Sequence, residues 1–169
     1  MNKLIQLINE MIDVFHGSTN KFDVFDTSKI GTGDGKSIGG WGLNFSDTRE
    51  VAQQYFLKSG FVGSYKIPNG DYFSLDDRFD PSVGELIKRA LDKIGTIKDD
   101  DIEEFQNDFI DNADEVTNKQ VYEWLSYVVG SEKNASLLLD RIGFVGNKFS
   151  DRWNREATNY VIFDSKNIR

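Results

Sequence analysis

The apolar side chains change period along this chain, and that change limits which elements it can build. Across residues 81–143 they recur at helical spacing: Val83, Leu86, Ile87, Ala90, Leu91 and Ile94, then Ile102, Phe105, Phe109 and Ile110, then Val121, Trp124, Leu125, Val128 and Val129, then Ala135, Leu138, Leu139 and Ile142. About four helices are expected there, with Trp124 and Tyr127 in the helical core. Ser131 is placed to cap the last helix and Gly143 to end it. The acidic run 99–104 reads as the solvated start of a helix. Outside this block the patterns are short and β-prone, and "NYVIF" (159–163) is the most convincing strand. Its alternation puts Tyr160 and Ile162 on one face and Asn159, Val161 and Phe163 on the other.

A chain of 169 residues is most simply one domain, 1–169, with the helical block as an insertion. Charge narrows its partners: 20 Lys+Arg against 28 Asp+Glu leave a net −8. That balance opposes attraction to phosphate backbones and anionic membranes, so a nucleic-acid partner is disfavoured. The absence of cysteine excludes disulfides, thiolate metal sites and cysteine nucleophiles, and permits a cytoplasmic location. One histidine, His16, excludes a histidine-rich metal site. No apolar run approaches the length of a membrane span. At the N-terminus, Leu4, Ile5, Ile8, Met11 and Ile12 fall at helical spacing, while Gln6, Asn9, Glu10 and Asp13 interrupt any signal-peptide core; an amphipathic first helix is expected.

"VFHGS" (14–18) then reads as a short strand ending at His16 or Gly17, and "NKFDVFDTSKI" (20–30) as a surface excursion. Six glycines between Gly31 and Gly42 lead into the β-prone "WGLNF" (41–45). "DTREVAQQYFLKSG" (47–60) follows as a helix capped by Ser46 or Asp47 and stopped near Gly60. "VGSYKIPNGDYFSLD" (62–76) alternates around Pro68-Asn69-Gly70 as a hairpin or two sequential strands. The glycine loop is no P-loop, because Ile30 stands where the first glycine is required and the loop leads into a strand. Its spacing also fails the dinucleotide fingerprint, and no serine elbow of the G-x-S-x-G type occurs. Such a glycine run is either a surface loop or the wall of a ligand cleft. His16-Gly17-Ser18 supplies an imidazole, an unobstructed backbone and a hydroxyl within three residues, a set suited to a ribose hydroxyl and a flat carboxamide.

Three blocks in order, "VFHGS" (14–18), "GGWGLNFSDTREVAQQY" (39–55) and "EATNYVIFD" (156–164), resemble the ADP-ribosyltransferases. The closest likeness is to the polyvalent-protein type of phages and mobile elements, which includes anti-CRISPR enzymes. A fourth block, "GSEKNASLLLDRIGFVG" (130–146), is similar to the helix and turn before the last strand of that type. The resemblance implies an α+β fold: two small, mostly antiparallel sheets forming a split core around an NAD cleft. It further implies transfer of ADP-ribose from NAD to a host protein, such as a CRISPR effector, in a counter-defence role.

By the same resemblance, His16 would hold the adenine-side ribose, Gly17 would pair through its backbone with the nicotinamide carboxamide, and Ser18 would lie beside it. Tyr55 matches the aromatic that stacks on nicotinamide, and Ala52 is the small residue facing that ring one turn earlier. Two positions depart from the pattern. Asn44 replaces the first stacking tyrosine, leaving Phe45 or Trp41 to substitute, and Asn159 replaces the glutamate directly before the last strand's apolar run. Cleaving the nicotinamide–ribose bond leaves an oxocarbenium-like sugar that a carboxylate stabilises, while asparagine orients the ribose without supplying the anion. Glu156 is the first candidate for that carboxylate and Asp151 the second. Arg152, Trp153 and Arg155 offer a grip for a pyrophosphate or a protein target, or form a plain surface loop. Two other outcomes share the fold: an NAD glycohydrolase with water as acceptor, and an inactive binding or inhibitor protein.

Overall fold

The computed structural model describes residues 11–21, 24–30, 38–54 and 60–169. Leu4, Ile5 and Ile8 of the expected first helix, the first half of the glycine loop and Tyr55 lie outside them. Six strands, β1 (Met11–Ser18), β2 (Leu43–Ser46), β3 (Phe61–Pro68), β4 (Tyr72–Ser74), β5 (Gly146–Ser150) and β6 (Thr158–Ile162), form one sheet of order β3-β1-β2-β6-β5-β4. All neighbours are antiparallel except β4 and β5. The helices are α1 (Arg49–Gln53), α2 (Pro81–Asp92), α3 (Asp99–Phe105), α4 (Asn118–Val128) and α5 (Glu132–Arg141). A π-helical turn, Gln106–Ile110, continues α3. The fold is α+β.

Met11 and Ile12 belong to β1, which corrects the helix expected there. β1 pairs with β3 from Met11↔Pro68 to Ser18↔Phe61, and that eight-residue ladder outweighs a local spacing that also suits a helix. β3 and β4 are sequential strands, not a hairpin, because they stand at opposite ends of the strand order. Only residues 69–71 join them. Five inter-strand spacings span about 24 Å in a flat sheet. The four steps from Pro68 to Tyr72 reach about 14 Å when extended. The sheet therefore coils until its two edge strands meet at this corner, where Tyr72 Oη donates to the Pro68 carbonyl at 2.6 Å.

Coiling gives the sheet two different faces. Leu43, Phe45, Tyr72, Tyr160 and Ile162 meet Ile12, Val14, Tyr65 and Ile67 of β1 and β3, so one face closes on the other arm of the same sheet. Phe73, Phe149 and Phe163 instead join the larger core built with Ile87, Leu91, Phe105, Val121, Leu125, Leu138 and Leu139 from the helices. The split in the alternation of "NYVIF" thus supplies both cores, Tyr160 and Ile162 to one and Phe163 to the other.

The helices begin and end as their sequences dictate. Asp80 caps α2 ahead of Pro81, Thr117 and Gln120 form a capping box on α4, and Ser131 caps α5, with Gly143 beyond it at φ 111°. The capping residue of α1 is Thr48, without a side-chain cap bond. Neither Ser46 nor Asp47 fills that place. Asp47 instead takes the Thr158 N–H on its carboxylate at 2.9 Å, tying the end of β2 to the start of β6. Trp124 stacks on Phe105 at 5.0 Å, as a core residue should, but Tyr127 is 85% exposed, because it faces away from the packed side of α4. Phe25 packs on the smaller core, so the 20–30 segment is not wholly a surface excursion.

Candidate functional site

The weakest joint of the sheet lies where the resemblance places its chemistry. β1 meets β2 through the single register pair Phe15↔Ser46, whereas β2 runs against β6 over four pairs, from Leu43↔Ile162 to Ser46↔Asn159. Phe15, Ser46 and Asn159 therefore form one row across three strands. Each comes from a different one of the three quoted blocks, and alternation puts all three on the same face.

His16 adjoins this row. Its Nδ1 lies 2.6 Å from the Asn44 carbonyl, which can only accept, so Nδ1 carries the proton and the neutral ring has its lone pair at Nε2. The ring sits among Phe25, Phe45 and Tyr65, with centroids at 5.2, 5.5 and 6.4 Å. Burial lowers its pKa, with the Asn44 hydrogen bond opposing part of the shift. Gly17 lies in the β1–β3 ladder opposite Val62, and Ser18 Oγ donates to the Asn20 carbonyl at 2.6 Å.

On β2, Asn44 is exposed and Phe45 buried in the small core, where its ring is enclosed by aromatic neighbours. Ala52 is buried on α1. Trp41 is held from its backbone: its N–H donates to Tyr122 Oη at 3.1 Å and its carbonyl accepts from Ser136 Oγ at 2.9 Å. The last glycines of the loop have packing reasons. A Cβ on Gly39 would fall 2.2 Å from Phe149 Cε1, one on Gly42 2.7 Å from the Ile162 carbonyl, and Gly40, at φ +95°, lies against the Tyr122 hydroxyl. Gly39, Gly40 and Gly42 are therefore wedged between β5, β6 and α4.

Of the two carboxylates, Asp151 reaches Asn159 and Glu156 does not. Asn159 Nδ2 donates to Asp151 Oδ2 at 3.0 Å, and Asp151 Oδ1 accepts the Trp153 and Asn154 N–H groups, each at 2.9 Å. Asp151 is 6% exposed and Asn159 3%. Burial pushes the Asp151 carboxyl upward, but hydrogen bonds from Asn154, Asn159, Trp153 and Arg152 outweigh it and hold the pKa below its ordinary value. Glu156 is exposed on the turn before β6, and among the described residues its carboxylate makes no hydrogen bond or ion pair. Arg152, Trp153 and Arg155 are exposed on the same loop, with the Arg152 guanidinium 5.3 Å from the Trp153 ring centre.

Two members of this neighbourhood escape a reading of sequence alone: Asn147, buried on β5, and Ser46, buried opposite Asn159. The available signal was a polar residue on an otherwise apolar strand face, which drew attention to Asn159 only. Among the described residues no cluster of three or more His, Cys, Asp or Glu is arranged for a metal, and no helix is long and apolar enough to cross a membrane. Compared with protein-family models, curated proteins and solved structures, the chain matches none.

Proposed function

We propose that this chain is a mono-ADP-ribosyltransferase that moves ADP-ribose from NAD to a protein of the cell in which it acts. One observation carries the reading: three sequence blocks far apart in the chain, each quoted for its likeness to that family, meet as adjacent strands in the row Phe15, Ser46 and Asn159. The residues present also fit a sugar. Among the described residues the buried Asn159 Oδ1 is an acceptor without a hydrogen bond, which suits a ribose hydroxyl. NAD supplies the activated glycosidic bond. Asn159 would orient the ribose beside the nicotinamide bond, and the ionised Asp151 contributes the negative charge that favours cationic character at the sugar. Nicotinamide leaves as a neutral molecule and needs no acid.

A second reading is favoured by the exposed Asn44 amide and by a Glu156 carboxylate that makes no hydrogen bond or ion pair among the described residues: a binding protein without the chemistry. Purified protein incubated with labelled NAD and a cell lysate separates the two. Label on a discrete band, lost in His16→Ala, is the expected result. Nicotinamide release without labelled protein would make the chain a glycohydrolase. Neither signal, with no heat of NAD binding by calorimetry, would leave the binding protein.

A further inference from the structure

Two amides on one face of the sheet share an uncommon state. Asn147 Nδ2 donates to the Gly39 carbonyl at 2.7 Å and Asn159 Nδ2 to Asp151 Oδ2 at 3.0 Å. Both partners are acceptors only, so neither amide can be reversed. Both Oδ1 atoms are buried without a hydrogen bond. A buried acceptor left unpaired costs about 1–3 kcal/mol, and a folded protein keeps few of them. Asn147 is held by backbone, as any core amide is. Asn159 is held by a carboxylate, and that difference needs a reason.

Asp151 is buried with both oxygens already accepting hydrogen bonds, Oδ1 from the loop N–H groups and Oδ2 from Asn159. It does decide which end of Asn159 is presented. Directly opposite on β2, the buried Ser46 Oγ accepts the Thr48 N–H at 3.3 Å, and among the described residues its own hydrogen meets no acceptor. The row thus contains an acceptor and a donor that do not bond to each other.

The geometry points to Asp151 as a positioning residue: it locks Asn159 with the amide nitrogen toward the carboxylate and the carbonyl oxygen turned away from it, as the acceptor for a sugar hydroxyl. A phosphate is disfavoured at that position, because it would meet the oxygen of an amide with an anion one hydrogen bond behind it. The oxygen is buried, so a hydroxyl reaches it only with local movement of the residues around it. This inference rests on the NAD reading, in which the sugar is the ribose beside the nicotinamide bond.

The test compares the parent chain with Asp151→Asn and with the exchange Asp151→Asn/Asn159→Asp. In the single variant the loop keeps its acceptor oxygen, but the new amide turns its nitrogen toward the Asn159 nitrogen and forces that side chain to reverse. The exchange restores a donor facing an acceptor and returns the anion to the pair. Nicotinamide release should fall about tenfold or more in kcat for the single variant with KM for NAD nearly unchanged, since charge at the sugar matters in the transition state. The exchange should recover most of that loss. In 15N spectra, the Asn159 amide protons, assigned by their absence from Asn159→Asp, should exchange slowly in the parent and faster in Asp151→Asn.

A single variant with parental kcat, an exchange no better than the single variant, or unchanged amide exchange would each overturn the positioning role while leaving the transferase reading in place. A parent that neither binds nor cleaves NAD would overturn that reading, and the sugar ligand assigned here with it.

Discussion

At the residue scale, the same residue type does opposite work at different positions. Gly146 sits where β5 crosses β6, and a Cβ there would fall 2.2 Å from the Val161 carbonyl, a backbone atom that cannot rotate away. Gly130, at φ +84°, has nothing within 4 Å of the same atom. Gly146→Ala should therefore cost about 3 kcal/mol or more by denaturant unfolding, and Gly130→Ala only the 1–2 kcal/mol or so of left-handed strain. Equal costs would show that the close approach at Gly146 is relieved elsewhere. His16 gives the second residue-scale prediction. Its folded-state pKa lies below the ordinary value of 6.5 because burial disfavours the charged ring. Below that pH the unfolded chain takes up a proton that the folded one resists. The stabilisation from the neutral ring is thus complete above about pH 6.5 and lost as pH falls toward the lowered folded pKa, with a slope of at most about 1.4 kcal/mol per pH unit. As His16 is the only histidine in the chain, His16→Gln should flatten stability between pH 5 and about 7. His16 was legible because no other residue shares its type. The Asp151–Asn159 pair was not, because eight positions of sequence say nothing about which carboxylate the loop turns inward.

At the element scale, legibility followed the range of the interactions. The four helices of 81–143 could be read because their signals are local: a 3.6-residue period, the Ser131 cap and the Gly143 stop lie within a few turns of each other. The first strand could not. Met11 and Ile12 suit a helix when read with Leu4, Ile5 and Ile8, and only the ladder to β3, about fifty residues later, makes them a strand. The parallel placement of β4 beside β5 is equally non-local. How α4 and α5 hold the glycine segment was hidden for the same reason. Tyr122 Oη receives the Trp41 N–H and lies 2.8 Å from Ser136 Oγ, which in turn donates to the Trp41 carbonyl. Tyr122→Phe leaves the Trp41 N–H without its partner in a half-buried setting, at a cost of about 1–3 kcal/mol. Amide exchange at Trp41 should accelerate in that variant while exchange within β3 stays as it was. Acceleration spread evenly over the molecule would mean that Tyr122 supports the core generally rather than clamping this segment.

At the scale of the whole molecule, the sheet is the shared wall of two cores. Ile162 at the end of β6 enters the core between the arms of the coiled sheet, and Phe163, the next residue, enters the core beneath the helices. Phe73 of β4 and Phe149 of β5 also face the helices. The helical block, though continuous in sequence, is therefore not a separable unit. Removing it would expose Phe73, Leu75 and Phe163, all now buried, and would leave β4 attached to the sheet by three register pairs to β5. Two consequences follow from the same geometry. The intact chain should unfold in one calorimetric transition whose van't Hoff and calorimetric enthalpies agree, because neither core can melt without stripping a face of β6. A chain in which a short Gly/Ser linker replaces residues 81–143 should fail to give a cooperative transition and should bind a hydrophobic dye. Two resolved transitions in the intact chain, or a cooperative fold in the shortened one, would instead make the coiled sheet self-sufficient. The seam row of Phe15, Ser46 and Asn159 would then form without the helices, and the clamp on Trp41 would be an addition to the site rather than part of its foundation.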